Sequence, residues 1–239
     1  MRYYAIPDLH GRYDLFTKAL NKIADDADGR EYTVVTLGDY IDRGPNSKEI
    51  IQDLMKLQSK DFISLLGNHE AMMLETLDTP LDPDWWLGNG GDATLWSYGS
   101  KVKISPWLPL PPVGYDPHVI PLEHRAFLAT LPLYYETECQ VFVHAGIKDH
   151  DLPLEDQSKD RMMWMLYSKD DPGGWQEKTV VHGHHQHIDG PHSWEYREAL
   201  DTWAYYTGRL VVGVFDDTQG PALKYLEVLG DDYSRPNSH

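Results

Sequence analysis

Thr33-Val34-Val35-Thr36-Leu37-Gly38-Asp39-Tyr40-Ile41-Asp42-Arg43-Gly44 is the stretch that decides the fold. Its β-branched run reads as a buried strand. The run ends at a Gly-Asp step that carries two carboxylates and an arginine. The same grammar stands on either side. Upstream, Tyr3-Tyr4-Ala5-Ile6 ends at Pro7 and delivers Asp8-Leu9-His10-Gly11. Downstream, Phe62-Ile63-Ser64-Leu65-Leu66 delivers Gly67-Asn68-His69-Glu70. Between the runs, Phe16, Ala19, Leu20, Ile23 and Ala27 recur at helical spacing. Ile50, Ile51, Leu54 and Leu57 make a second stripe behind Asn46-Ser47-Lys48-Glu49, which resembles a capping box. This βαβαβ order predicts an α/β fold with parallel strands and right-handed crossovers. Its chemistry then lies along the carboxyl ends of the strands.

Further along, Gln140-Val141-Phe142-Val143 leads into His144-Ala145-Gly146, and Thr179-Val180-Val181-His182 into Gly183-His184. Residues 78–121 break the rhythm. They are rich in proline, hold Trp85, Trp86, Trp96 and Trp107, and contain the Asn89-Gly90-Gly91 turn. They read as an insertion folding over the site as a cap, its tryptophans mostly cap core. Leu122 to Leu131 predicts a short helix, and Asp149 to Asp171 a polar, loop-rich stretch. Tyr205-Tyr206, Arg209 to Phe215 and Ala222 to Val228 are strand-like. The expected organisation is one domain over 1–230 and a mobile tail over 231–239.

The 239-residue chain is 41% hydrophobic, enough for a full core. Its formal net charge of −17 repels phosphate backbones, which argues against coating nucleic acid. A small phosphorylated substrate stays compatible, because bound cations reverse the field inside a pocket. One cysteine, Cys139, allows no disulfide within the chain and suits a reducing compartment. Met1 to Pro7 is too short and polar for a signal peptide, and no stretch approaches the ~20 apolar residues of a membrane span. A soluble, cytoplasmic protein is expected. Asp, His and Asn gathered at strand ends, without a cysteine set, describe a catalytic metal centre rather than a structural zinc site.

Asp8-x-His10-Gly11, Gly38-Asp39-x-x-Asp42-Arg43-Gly44, Gly67-Asn68-His69-Glu70 and His144-Ala145-Gly146, in this order, resemble the signatures of the calcineurin-like metallophosphoesterases. More narrowly they look like the bacterial and phage branch of the PPP-type serine/threonine phosphatases, that of the phage lambda phosphatase. The resemblance covers Met1 to Val228 and includes Asn89-Gly90-Gly91 and Asp201-Thr202. It implies a β-sandwich with flanking helices and two divalent metal ions, manganese first, iron or zinc as alternatives. It implies Asp8 and His10 at one metal, Asn68, His144 and His184 at the other, and Asp39 between them. The implied reaction is hydrolysis of phosphomonoesters by a metal-bridging hydroxide. Its substrate would be a phosphorylated protein or a small phosphorylated molecule; the sequence leaves the oligomeric state open, with a monomer favoured. Two departures stand out. Gln186 replaces a second metal-binding histidine found in some relatives, which favours the PPP-like arrangement. Leu166 stands where the branch carries a phosphate-binding arginine, two residues after Trp164; Arg161 and Lys169 are the nearest cations.

His69 cannot easily share a metal with its neighbour Asn68, because adjacent side chains diverge. It suits a general acid toward the leaving oxygen, with Asp42 accepting its other ring N–H. Arg43 offers a planar fork to two phosphate oxygens. Alone, Asp8 or Asp39 would read as a turn aspartate and His144 as a satisfied core histidine; the joint order reverses those readings. His182, His185, His187 and His192 keep the plain reading, as do Cys139 (a packed small residue) and Asp25-Asp26-Ala27-Asp28 (a solvated helix end). Three other functions compete with a protein phosphatase. A dinucleoside polyphosphate hydrolase would stack a base on Trp85, Trp86 or Trp107. A cyclic-nucleotide phosphodiesterase is another enzyme reading. A phosphoprotein-binding module that has lost catalysis has Leu166 as its support.

Overall fold

The computed structural model describes residues 1–78, 83–103, 114–168 and 171–230. Strands β1 (Arg2–Ile6), β2 (Tyr32–Thr36) and β3 (Phe62–Ser64) alternate with helices α1 (Tyr13–Ala27) and α2 (Ser47–Leu57). They pair in parallel, with Ile6 opposite Thr36 and Thr36 opposite Ser64, as the βαβαβ order predicts. Side chains alternate along each strand. Tyr4, Ile6 and Val34 face the apolar stripes of α1 and α2, while Tyr3, Ala5 and Val35 face the opposite way. Burial on both faces explains why these strands read as continuous apolar runs.

The chain continues through α3 (Asn68–Asp78), α4 (Asp84–Trp86), α5 (Asp92–Ser97) and α6 (Leu122–Ala129). Then come β4 (Tyr134–Glu136), β5 (Gln140–Val143), α7 (Lys159–Trp164), β6 (Thr179–His182), β7 (His192–Trp194) and β8 (Arg197–Ala199). The one-turn α8 (Ala204–Thr207) precedes β9 (Arg209–Asp216) and β10 (Gln219–Leu229). Among the described residues two five-stranded sheets result, in the orders β10-β9-β1-β2-β3 and β4-β5-β6-β8-β7. In the second, β5, β6 and β8 run parallel. Tyr3, Ala5, Val35 and Leu37 meet Phe142, Val181 and Leu200 between the sheets, where Phe142 and Phe215 contact edge to face at 5.6 Å. Val141, Val143 and Val180 turn outward onto Met162 and Trp175. The molecule is a mixed α/β sandwich with helices on its flanks.

Several local expectations change. Tyr205-Tyr206 lies in α8, not in a strand, because Trp203 (φ 58°) and Gly208 (φ 69°) bracket a single helical turn. The stretch expected to be loop-rich holds α7, whose N-cap Ser158 accepts from the Arg161 N–H. Asn46 precedes α2 but makes no capping bond to its backbone; its amide instead reaches Glu49. Asp26 is no idle solvated charge: it accepts the Tyr4 hydroxyl at 2.8 Å and pairs with Lys224. Of the tryptophans in 78–121, Trp86 is fully buried while Trp85 and Trp96 are exposed. Trp107, Lys169 and the 231–239 tail lie outside the described residues.

Candidate metal centre

The carboxyl ends of β1, β2, β3, β5 and β6 converge, so both sheets feed one site. Backbone geometry there is unusual. Among the described residues eight non-glycines have positive φ, and five of them are His10, Asp39, Asp42, Arg43 and His184. Such conformations cost of order 1–3 kcal/mol each and persist where the surroundings over-determine them. Glu70 supplies much of that determination. Its buried carboxylate accepts from the N–H groups of Tyr40 (2.8 Å), Asp39 (2.9 Å), Gly67 (3.1 Å) and Ile41 (3.2 Å). Burial, then the charge of Asp39, raise its carboxyl to about 8 even against the pull of His69 and the Tyr40 N–H toward the ionised form. Gly67 is required for a second reason, since a Cβ there would collide with Asp39.

Asp39 sits at the centre. His144 Nε2 lies 3.4 Å from its Oδ1; His10 Nε2 and His69 Nε2 lie 3.5 and 3.9 Å from its Oδ2. Burial would raise its carboxyl, but the surrounding histidines, His144 foremost, hold it well below the usual range. Two trios each offer ligand atoms within 4.8 Å of one another: His10, Asp39 and His69, and Asp39, His144 and His184. Asp8 is in neither trio. Both its oxygens accept from the His184 N–H, at 3.0 and 3.1 Å, and burial raises its carboxyl to about 6. Burial lowers His10, and it lowers His184 to about 4, so both rings present lone pairs.

The chemistry of the donor set fits cations. His144 Nδ1 donates to the Leu37 carbonyl at 2.8 Å, so its Nε2 carries a lone pair. That lone pair faces the Asn68 Oδ1 at 2.7 Å, and His184 Nδ1 faces the same oxygen at 3.1 Å. A cation shared by these acceptors would satisfy all of them. The protein-only alternative is an inverted amide, whose nitrogen would donate to His144 and Asp39. On the other side His10 Nδ1 donates to the Ile41 carbonyl at 2.8 Å, so Nε2 holds the lone pair, which accepts from Arg43 Nη1. The Arg43 guanidinium lies 3.0 Å from that nitrogen and stacks over the Tyr205 ring at 4.9 Å. Such second contacts fix tautomer and ring orientation, as they do for metal-bound histidines.

His69 Nδ1 lies 2.7 Å from Asp42 Oδ2. Asp42 is fully buried and held from the far side: Thr94 Oγ1 donates at 2.6 Å, and Trp86 Nε1 is 3.1 Å from both oxygens. The Arg43 N–H donates to the Gly90 carbonyl at 3.1 Å. Asp42 and Asp39 raise His69 against the lowering pull of burial. Trp86, a candidate base platform in the sequence, is instead buried against Asp42. Glu70 stands inside the Gly67-Asn68-His69-Glu70 motif, whereas Thr94 and Tyr205 carry no site signal in their sequence neighbours. Leu166 is exposed two residues beyond Trp164, whose ring meets His184 edge-on at 6.2 Å. Arg161 is exposed on α7.

The calcineurin-like phosphoesterase family model matches residues 1–214. The chain belongs to that family. Among curated relatives, this phosphoesterase is 36% identical over 89 residues to serine/threonine-protein phosphatase 2 of Escherichia coli (strain K12), covering 37% of this chain and 38% of that protein. It is 38% identical over 74 residues to the symmetrical bis(5'-nucleosyl)-tetraphosphatase of Nitrosococcus oceani, covering 31% of this chain and 26% of that one. The matches therefore span less than two-fifths of those relatives. A protein serine/threonine phosphatase structure from Saccharomyces cerevisiae superposes with a TM-score of 0.61 at 14% identity, over 99% of this chain and 82% of that chain. That likeness is one of fold. No helix among the described residues is long and apolar enough to cross a membrane.

Proposed function

We propose that this phosphoesterase hydrolyses phosphomonoesters, with phosphoserine or phosphothreonine in proteins as the leading substrate. One observation carries the reading: lone-pair donors converge on Asp39 beside the His69–Asp42 pair and the Arg43 guanidinium. Asp8, His10 and Asp39 would hold one divalent ion, and Asp39, Asn68, His144 and His184 the other; manganese is the first choice. Bound there, the ions supply charge neutralisation on the phosphoryl oxygens and a water acidic enough to ionise near neutral pH. The protein does the rest. Arg43, pre-oriented by Tyr205 and Gly90, grips two phosphate oxygens. His69, fixed by Asp42 at Nδ1, gives the proton on Nε2 to the departing serine or threonine oxygen. Trp86 and Thr94 keep Asp42 an acceptor by filling its remaining lone pairs. Residues 1–230 act as one catalytic domain in a reducing cytoplasm, which the single Cys139 suits.

A second reading is hydrolysis of dinucleoside polyphosphates. Trp85 and Trp164 are both exposed and lie 6.4 Å apart, with the Trp164 ring against His184. Such a platform beside the centre suits a base. The deciding experiment assays the manganese-loaded chain on a phosphoserine peptide, diadenosine tetraphosphate and a cyclic nucleotide. Phosphate release from the peptide at the highest kcat/KM is the expected result. Cleavage of the tetraphosphate with an inert peptide would overturn the phosphatase reading in favour of the second. Binding of the peptide without turnover would leave a phosphoprotein-binding module.

A further inference from the structure

The loop that follows His184 builds a separate cluster of donors. Its backbone is tied on three sides. The His187 N–H donates to the Asp201 carbonyl at 2.9 Å, the Gly190 N–H to the His187 carbonyl at 2.9 Å, and Arg209 Nη1 to the Gly190 carbonyl at 2.8 Å. So held, the loop brings one ligand atom each from His187, Asp189 and His192 within 4.8 Å of one another. His192 Nε2 already lies 3.2 Å from Asp189 Oδ1. The His185 ring is 4.5 Å from that of His187. Trp194 closes the apolar side, 6.3 Å from His187 and 5.7 Å from His192. The two histidines are half-buried and Asp189 is exposed, so the cluster is walled on one side and open to solvent on the other.

Imidazoles dominate this donor set. Nitrogen-rich sites with one carboxylate suit zinc and its borderline neighbours, whereas magnesium and calcium want oxygen. Two histidines and a carboxylate with an open position is also a ligand count that zinc accepts outside closed structural sites. A solvated His-Asp pair would explain the His192–Asp189 contact alone. It does not explain why His187 crowds against that pair rather than splaying into water.

We propose that His187, Asp189 and His192 form a third metal site, distinct from the Asp39 centre, that takes zinc. The loop is continuous with His184 and bonded to Asp201, so zinc there would fix the segment from which His184 projects. This inference does not depend on the substrate, nor on the catalytic roles given to His69, Asp42 and Arg43.

The test counts metal. The full chain is saturated with zinc, desalted, and analysed by mass spectrometry of the bound element. Wild type should retain about one zinc more per chain than His187→Ala/His192→Ala, as loss of two of three protein ligands empties such a site. The milder His192→Gln variant guards against misfolding, and should show the same loss with an unchanged circular dichroism spectrum. Turnover by the double variant with saturating manganese and no zinc should equal wild type. Asp39→Asn should keep the extra zinc while losing metal from the catalytic centre, which separates the two sites. Equal zinc in wild type and both loop variants would overturn the proposal. So would zinc loss in Asp39→Asn that matches the loss in the loop variants.

Discussion

At the scale of single residues, the site depends on which atom of each ring holds the proton. His69 Nδ1 faces Asp42, so in the proposed reaction Nε2 would be the end that reaches a leaving group. His69→Asn should therefore lower kcat on an alkyl phosphate by roughly 10²–10⁴, the usual worth of a positioned acid. The loss should be smaller on an aryl phosphate, whose leaving oxygen needs little protonation, and bound metal should be unchanged. Equal losses on both esters would remove the acid role. Glu70 acts one step back, through backbone. Glu70→Gln replaces one acceptor oxygen by an NH₂ group that faces N–H donors. Leaving a buried donor unpaired costs about 1–3 kcal/mol, to be read as a lower urea midpoint. Manganese affinity should fall with it, because the Asp39 turn loosens. Leu166 tests the missing arginine. Its exposure beside Trp164 leaves room for a longer side chain. Leu166→Arg should lower KM for phosphomonoesters by roughly one to two decades, the value of a charge-assisted bond of about 1.5–3 kcal/mol. Unchanged KM would mean that the position does not reach the substrate phosphate.

At the scale of elements, the instructive piece is the segment from α4 to α5. Its described residues do more than cover a pocket. Trp86, Leu87 and Leu95 join the core cluster that also holds Leu15, Ile50 and Met73. Through Trp86 and Thr94 the same segment grips Asp42 from behind, and through the Gly90 carbonyl it holds Arg43. Gly90, at φ 101°, makes that hold possible: a Cβ would stand 2.8 Å from the Arg43 backbone nitrogen. Gly90→Ala combines a forbidden backbone region with a clash, at about 1–3 kcal/mol for the strain. It should raise KM for a phosphomonoester more than it lowers kcat, since Arg43 is displaced while His69 and the metals are not. Steady-state kinetics on one substrate suffice, and a pure kcat effect would contradict the assignment.

At the scale of the molecule, the site is also a clamp. Its donors come from the ends of both sheets, and His144 already reaches across to the Leu37 carbonyl while His184 meets Asp8. Cations bound among these groups should hold the sandwich closed. At metal concentrations a hundredfold above Kd, linkage gives about 2.7 kcal/mol. In a chain of this size that is a fall in Tm of roughly 5–10 °C when a chelator removes the metal. A scan with and without chelator measures it, and no shift would deny the clamp. The sequence alone determined the parallel βαβαβ half, because its short, β-branched apolar runs have strand length and its stripes have the helical period. It also determined the identity of most candidate ligands, because each follows a strand within one to four residues. Tertiary structure decided the rest. That Asp39, His144 and His184 share one centre depends on two sheets packing face to face, which no local pattern encodes. Tyr205 reads as a strand residue, yet it sits in a helical turn because its neighbours' backbone geometry overrides its propensity. Trp86 and Thr94 became partners of Asp42 only through contacts spanning 44 and 52 residues. Positive φ at five site residues is tolerated only because distant groups such as Glu70 hold it, and a constraint of that kind exists only in the folded chain.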